Sequence, residues 1–158
     1  MSNADLCGWR PAALLAALLL GGCAGEQSLN ATTVLSYDQC QGIDAGLTRV
    51  DYAQVAGIRG STLLDMSRPE PEAGNDDLLL IAVSRGRQPT PGYGFTLEEA
   101  RRRNGTAMIS LGWRTPESGA VLPQVLTHPC LVVGLPRSGI ERVEAVDSSG
   151  TELGSLDL

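Results

Sequence analysis

The chain has 158 residues and a formal net charge of −6, with 18 acidic side chains, 12 arginines and no lysine. This acidic balance argues against nucleic-acid binding, which depends on clustered basic side chains that neutralise phosphates. Nineteen glycines and nine prolines are spread along the sequence, and the apolar runs between them are short. That composition favours many short β-strands joined by turns.

The amino terminus has the pattern of a secretory signal peptide. Residues 11–22 form an apolar run, PAALLAALLLGG, of about 12 residues, well short of the roughly 20 that a transmembrane helix needs. The motif LGGC at 20–23 resembles the lipobox of bacterial lipoproteins. That resemblance implies cleavage before Cys23 and lipid attachment to it. We therefore predict a signal peptide over 1–22 and a lipid anchor on Cys23; the alternative is a chance cysteine after an ordinary signal peptide.

The residue after Cys23 is Ala24 rather than an aspartate. By resemblance to the sorting rule of lipoproteins, this predicts an anchor in the outer membrane of a bacterial cell envelope, with the protein facing the periplasm. Residues 23–31 are predicted to be the lipidated cysteine and a short flexible tether. The remaining residues, 32–158, are enough for one domain with a core but not for two, so we predict a single β-rich domain.

Cys40 and Cys130 remain after the signal peptide and the anchor are set aside. An even pair in an oxidising compartment predicts a disulfide between them; two independent buried thiols are the alternative. Two cysteines and one histidine provide too few soft ligands for a zinc site. We therefore expect neither a metal nor another cofactor.

The first part of the domain contains a strand, a helix and a buried strand. TTVLSYD at 32–38 has the composition of a strand. Asp51 is placed as the N-cap of a short helix that later glycines would end. After an acidic, turn-rich connector at 68–77, the continuous apolar run LLLIAVS at 78–84 predicts a central strand buried on both faces.

Residues 93–114 predict a β-hairpin around Asn104-Gly105. A two-residue turn there would direct Phe95 and Leu97 away from the apolar face of the second strand, because a one-residue slip reverses every side chain. We therefore predict a three-residue loop at 103–105. This register gives the pairs Phe95 with Trp113, Leu97 with Leu111, 99 with 109, and 101 with 107. A helix over LEEARRR is the competing prediction.

The rest of the chain continues the pattern of short apolar segments. We predict strands at 120–127, 130–136 and 140–147, and a last one in the tail after the Ser149-Gly150 turn. Together these elements predict a mainly β fold, which is a compact β-sandwich or a barrel-like antiparallel sheet with one short helix.

The segment RGRQPTPGYGF, 85–95, connects the buried strand to the hairpin. Pro89 and Pro91 fix their own φ angles and restrict the residues before them, while Gly92 permits turns that other residues resist. A stiff loop loses little entropy on binding, and an exposed tyrosine such as Tyr93 suits a contact with a partner. The alternative is a rigid turn in which Tyr93 caps the core.

Two motifs in this region resemble the protease complex subunit PrcB family. GRQPTPGY, 86–93, is similar to the G-x-K/R-P-T-G-G-Y signature of that family's C-terminal domain. Residues 115–137 contain its P-x-x-G, Q-x-x-T-x-P and V-V-x-[IL]-P elements in the same order. The similarity covers about residues 78–147. Pro91 replaces the first glycine of the usual pair, and Cys130 stands where an aromatic residue is common.

The PrcB resemblance implies a small exported protein or lipoprotein, in some cases associated with a secreted protease. The 86–93 loop also looks like the N-P-T-T-G-Y loop of chagasin-type cysteine-protease inhibitors, which implies an immunoglobulin-like sandwich as one form of the fold. We predict a non-catalytic protein-interaction module: a protease-associated subunit, a chaperone or a loop-based inhibitor. Its partner would be a secreted or envelope protease, or another envelope protein. The residues predicted to contact the partner are Arg87, Pro89, Thr90, Pro91, Gly92, Tyr93 and Phe95.

Two other functions stay open. A structural or envelope-assembly lipoprotein would need no protease partner. A hydrolase could use Cys130 as its nucleophile and His128 as its base, but Pro129 and the predicted disulfide leave no free thiolate. The sequence also has no phosphate-binding glycine loop with its lysine and no nucleophile elbow. We therefore predict that the protein is not an enzyme.

Overall fold

The computed structural model describes residues 25–60 and 78–158. The predicted signal peptide, the lipobox with Cys23 and the predicted connector at 68–77 lie outside the described residues. Within those two ranges, no helix is long and apolar enough to cross a membrane.

The described residues form nine strands and one helix. In chain order they are β1 (Gln27–Ser28), β2 (Thr32–Tyr37), β3 (Gly46–Val50), α1 (Tyr52–Gly60), β4 (Leu78–Ser84), β5 (Gly94–Arg103), β6 (Thr106–Arg114), β7 (Cys130–Pro136), β8 (Arg142–Asp147) and β9 (Glu152–Asp157). The strands form two sheets, one in the order β1-β5-β6-β8-β9 and the other in the order β2-β7-β4-β3. All paired strands are antiparallel except β6 and β8, which are parallel. The predicted mainly β fold is confirmed, and its two sheets form a sandwich rather than a closed barrel.

The main core lies between the two sheets. Alternate side chains of β4 and β7 point inward, since successive residues of a strand face opposite sides. They meet the inward side chains of β5, β6 and β8. The largest fully buried members of this cluster are Ile81, Val83, Leu131, Val133, Leu135, Ile109, Leu111 and Val143.

The outer face of the four-stranded sheet is covered as well. Leu80 and Ala82 of β4 are buried in a second cluster together with Val55 and Ile58 of α1. Because the strand is buried on both faces, its sequence is a continuous apolar run rather than an alternating one. The predicted central position of 78–84 is therefore confirmed: β4 lies between β7 and β3.

The start of α1 has the predicted N-cap. The Asp51 carboxylate accepts a hydrogen bond from the Gln54 N–H (2.7 Å), and the Gln54 side-chain oxygen accepts one from the Asp51 N–H (2.9 Å). This reciprocal pair satisfies backbone donors that a helix start leaves free. The helix runs through Gly57 and ends at Gly60.

The hairpin follows the prediction at its open end and departs from it at its tip. Phe95 pairs with Trp113 and Leu97 with Leu111, as predicted, and the competing helix is absent from these residues. The turn, however, consists of two residues, Asn104 and Gly105, with φ angles of 50° and 78°. Positive φ at both positions is the requirement of a type I′ hairpin turn, so the predicted three-residue loop is wrong.

The register is corrected by a bulge inside β5 instead of at the turn. The pairing shifts between Leu97 and Glu99, so Glu98 is the extra residue. The predicted pairs 99 with 109 and 101 with 107 are therefore wrong, since Ala100 pairs with Ile109. The physical reason is that the predicted register would direct Glu99 into the core, whereas the bulge leaves Glu99 outside and buries Ala100.

Residues 120–127 do not form the predicted strand. They run irregularly up to Thr127, where an isolated antiparallel bridge joins Thr127 to Gln88. Two features explain the difference: Pro123 has no N–H to donate to a ladder, and the neighbours of β7 are already β2 and β4. This apolar segment therefore has no free edge of β7 to join.

The end of the predicted flexible tether is part of the sandwich. Gln27 and Ser28 pair with Arg102 and Arg101 of β5 as strand β1. The Leu29 N–H donates to the Ala100 carbonyl (2.9 Å), and the Leu29 side chain packs against the core. The described part of the amino-terminal segment is thus held against β5 rather than free.

The structure contains the predicted disulfide between Cys40 and Cys130, whose Cα atoms are 5.8 Å apart. Both residues are buried, at 0% and 1% exposure. The bond joins the segment after β2 to the first residue of β7, and the two cysteines are 90 residues apart in sequence.

Replacing both cysteines with alanine should lower the free energy of unfolding by about 4 kcal/mol, because a long loop in the unfolded chain is no longer closed. Urea denaturation of the oxidised wild type and the C40A/C130A variant measures the difference. Wild type under reducing conditions should match the variant. A difference below about 1 kcal/mol would contradict a role of the disulfide in restricting the unfolded chain.

Candidate functional site

The candidate site is the loop between β4 and β5, residues 85–93. Ser84, the last residue of β4, is buried, and its hydroxyl fixes the start of the loop. That hydroxyl donates to the Pro129 carbonyl (3.0 Å) and accepts from the Gly86 N–H (3.0 Å). Gly86 has a φ of 75°, which lets the chain leave the strand direction at no steric cost.

Thr127 holds the middle of the loop. Its N–H donates to the Gln88 carbonyl (3.0 Å), and its carbonyl accepts from the Gln88 N–H (2.8 Å). Its hydroxyl donates to the Thr90 carbonyl (3.0 Å). Thr127 is 4% exposed, so these three bonds are largely shielded from competing water. One residue outside the loop therefore fixes two positions within it.

Trp113 of β6 supports the end of the loop. Its ring lies 4.6 Å from that of Phe95 and 5.8 Å from that of Tyr93, between ring centroids. The Arg85 guanidinium carbon is 4.8 Å from the centroid of the Trp113 ring, a cation–π arrangement. The first residue of the loop and its last one thus contact the same indole.

Asp147 connects this support to the turn between β8 and β9. One of its oxygens accepts hydrogen bonds from the Ser149 hydroxyl and from the Ser149 and Thr151 N–H groups, and the other lies 3.4 Å from the Arg85 guanidinium. Because these donors favour the carboxylate, with the Ser149 hydroxyl first, the pKa of Asp147 lies below its usual value. Arg85 is therefore held by an ion pair on one side and by Trp113 on the other.

Gly92 occupies a position that only glycine fits well. Its φ is 100°, in a region that other residues rarely adopt. A Cβ at this position would lie 3.1 Å from Cγ and 3.3 Å from Cβ of Pro116. The tip of the loop therefore packs directly on the segment that follows β6.

Comparison with protein families supports the sequence motifs. Residues 79–136 match the model of the family described as PrcB C-terminal. The match covers 58 of the 158 residues, and this stretch, which is similar to the PrcB family, is called the PrcB segment below. No curated protein and no solved structure gives a significant match to the chain. The PrcB segment begins in β4, ends with β7 and includes the whole loop together with Thr127 and Trp113.

The predicted contact residues of the PrcB segment differ in how accessible they are. Arg87 and Pro89 are exposed. Thr90, Pro91, Gly92 and Tyr93 are partly buried, and the Tyr93 ring is stacked on Trp113. Among the predicted contact residues, Arg87 and Pro89 therefore form the surface that is open to a partner.

Phe95 does not belong to that surface. It is 3% exposed, lies within β5 and packs in the main core against Trp113. Its predicted role as a contact residue is a misassignment, since an aromatic ring at an inward position of β5 is buried by the opposite sheet. Phe95 packs against Trp113, which in turn contacts Tyr93 of the loop.

The alternative nucleophile of the PrcB segment is covalently occupied. The Cys130 sulfur is bonded to Cys40, so it carries no thiolate in this state. His128 is held through its backbone, which donates to the Asp38 carbonyl (2.8 Å) and accepts from the Cys40 N–H (2.9 Å). Its Nε2 atom is buried and has no hydrogen-bond partner among the described residues, and we have no physical account of that.

Sequence reasoning missed the residues that hold the loop from outside it. Thr127 is the threonine of the Q-x-x-T-x-P motif, yet the composition of 120–127 predicts a strand there. The sequence predicts Arg85 only as a loop end and Trp113 only as a hairpin partner. Asp147 carries no motif. The one signal in the sequence that points to Thr127 is its place in a family motif.

Replacing Thr127 with valine should lower the free energy of unfolding by about 1 kcal/mol, because valine keeps the shape but removes the hydrogen bond to Thr90. Amide exchange at Gln88 should also become faster, since the loop is held less firmly. Urea denaturation and hydrogen exchange measure the two effects.

Thr96→Val is the matched control for this change. Thr96 is exposed, and its hydroxyl makes only a long bond of 3.5 Å to the Gly112 carbonyl. We expect T96V to change the unfolding free energy by less than about 0.5 kcal/mol. Equal effects of T127V and T96V would contradict the role given to Thr127.

Proposed function

We propose that the protein is a non-catalytic interaction module that binds another protein through residues 86–93. This proposal rests on the difference between the backbone of the loop, which is fixed, and two of its side chains, which are exposed. Its backbone is fixed by Ser84 and Thr127, and its ends contact Trp113, while Arg87 and Pro89 remain exposed. A surface that is ordered before binding loses less entropy when a partner arrives.

The family supports a partner of a particular kind. PrcB is a family of protease-associated subunits, so a component of a protease complex is the partner that we propose. In this proposal the roles of subunit, chaperone and inhibitor would each use the same exposed loop. Arginine is enriched among the residues that dominate interfaces, and Arg87 has no ion-pair partner within the described ranges.

We also propose that the protein is anchored to the outer membrane through lipid on Cys23. The pairing of β1 with β5 bears on this proposal, because only a few residues separate Cys23 from Gln27. The β1 partners Arg101 and Arg102 lie near one end of β5, whereas the loop joins β5 at Gly94, its other end. Seven residues of extended strand correspond to about 23 Å. An anchored protein would therefore present the loop at the end of β5 remote from the lipid.

Mass spectrometry of the intact chain extracted from membranes tests the anchor. We expect a mature protein that begins at Cys23 and carries the mass of a lipid modification. Cys23→Ser should abolish both the modification and membrane retention. A mature wild-type chain that begins at another residue would contradict the proposal.

The loop is tested by purification of the full-length chain, tagged at its carboxyl terminus, from its own cell envelope. The wild type is compared with the double variant R87A/P89A, whose two side chains are exposed. The stability should change by less than about 0.5 kcal/mol at Arg87 and by up to about 1 kcal/mol at Pro89, where alanine frees the unfolded chain. We expect the double variant to lose a co-purified protease-complex component by about tenfold, the effect of 1.4 kcal/mol.

The matched control is R103A. Arg103 is exposed at the hairpin end of β5, and its side chain has no ion pair with any described residue. This variant should retain the partner at the wild-type level. If R87A/P89A and R103A retain the same proteins, the loop is a structural turn, and the role of a structural envelope lipoprotein takes its place.

A further inference from the structure

A hollow beside the loop is lined by charges of both signs. It has a volume of about 560 Å³ and is formed by residues of the segment 39–44, by Arg87 of the loop and by residues 126–128. Asp44 contributes a carboxylate to the lining, and Leu126 contributes an apolar side chain that is 62% exposed. The volume falls within the range of sites that hold small molecules.

The fold brings the two charged residues onto neighbouring stretches of chain. β3 and β4 are antiparallel partners, and the chain that precedes β3 continues beside the chain that follows β4. A Cβ at Gly86 would lie 3.6 Å from the Cβ of Ala45. Asp44 directly precedes Ala45 and Arg87 directly follows Gly86. The carboxylate and the guanidinium therefore belong to one small region of the surface.

Neither of these charges is neutralised. Asp44 and Arg87 are both exposed. Neither side chain forms an ion pair with the other or with any residue in the described ranges. A ligand can therefore pair with an anion and with a cation in the hollow at the same time.

The backbone around the hollow is fixed on all three sides. The Cys40 N–H donates to the His128 carbonyl (2.9 Å), and the disulfide between Cys40 and Cys130 joins the same two segments. Thr127 holds the loop through its two backbone bonds to Gln88. Since these bonds order the three segments before a ligand arrives, binding costs little backbone entropy.

We propose that the hollow binds a short peptide whose two termini are free. The peptide carboxylate would accept hydrogen bonds from the Arg87 guanidinium, which suits a carboxylate because of its planar fork of donors. The peptide ammonium would donate to the Asp44 carboxylate, and an apolar side chain of the peptide would contact Leu126. A ligand with only one of these charges would leave the other group of the hollow unpaired.

The proposed ligand is of a kind that a protease releases. Hydrolysis of a peptide bond creates one new carboxylate and one new ammonium, so a peptide cut at both ends carries the two charges that the hollow complements. The inference goes beyond the proposed binding of a partner protein, because the ligand is a small molecule and Asp44 lies outside the loop.

A titration of the full-length chain in detergent, followed by NMR at the backbone amides of Asp44, Arg87 and Leu126, tests this inference. The probe is the synthetic peptide AVA with free termini. The peptides AV and AVVA are titrated beside it, because the spacing of the two charges selects a length. The controls are AVA acetylated at its amino end, amidated at its carboxyl end, or blocked at both. We expect each block to raise the Kd about fivefold, the effect of about 1 kcal/mol.

Two variants show which charge pairs with which terminus. In D44N, acetylation of the peptide should no longer change the Kd, and in R87Q, amidation should no longer change it, because the charge that each terminus meets is gone. The matched controls are D38N and R103Q, which remove exposed charges that do not line the hollow. Both control variants should bind AVA as the wild type does.

Three results would overturn the inference. They are no binding of any free peptide, equal binding of free and doubly blocked AVA, and effects of the blocks that persist in D44N and R87Q. If no peptide binds but purification of the partner still depends on Arg87 and Pro89, only this inference is wrong. If the peptide binds as expected but that dependence is absent, only the proposed function of the loop is wrong.

Discussion

The pairing of Thr127 with the loop is the interaction on which the site depends. A loop of nine residues with two prolines and two glycines could adopt many turns, and its own sequence does not select one. Thr127 selects it through two backbone bonds to Gln88 and one hydroxyl bond to Thr90. Since Thr127 is buried, water competes little for these groups. The conformation of the loop is therefore set by a residue 37 positions later in the chain than Thr90.

The position of Thr127 depends in turn on the four-stranded sheet. Cys130 begins β7, where it pairs with Ser84 and is bonded to Cys40. The Ser84 hydroxyl donates a hydrogen bond to the Pro129 carbonyl, so the end of β4 is joined to the residue that precedes β7. Burial of β4 on both faces makes this region the most enclosed part of the sandwich. The exposed loop thus follows directly from one of the most buried strands of the fold.

The sequence predicts those features of the fold that depend on local residue patterns. It does not predict features that depend on contacts between residues far apart in the chain. The apolar run of β4, the N-cap at Asp51 and the Phe95–Trp113 pair follow from composition and spacing. The sequence predicts the irregularity at the turn instead of at Glu98, because a small residue such as Ala100 carries no clear signal of a core position. Residues 120–127 have the pattern of a strand but no free edge to join, and that depends on which strands flank β7. The contacts of Thr127 with the loop also depend on how distant strands are arranged. The sequence therefore shows Thr127 only as part of a motif and does not show that it holds the loop.

The most direct test of the account is the backbone motion of the loop in the free protein, measured by ¹⁵N relaxation at Arg87, Gln88, Thr90, Gly92 and Tyr93. Pre-organisation predicts order parameters of about 0.85, the value of a rigid backbone, equal to those of β4. The T127V variant should lower them at Gln88 and Thr90 first. Order parameters below about 0.6 in the wild type would mean a flexible loop, and would contradict the claim that the fold prepares this surface for a partner.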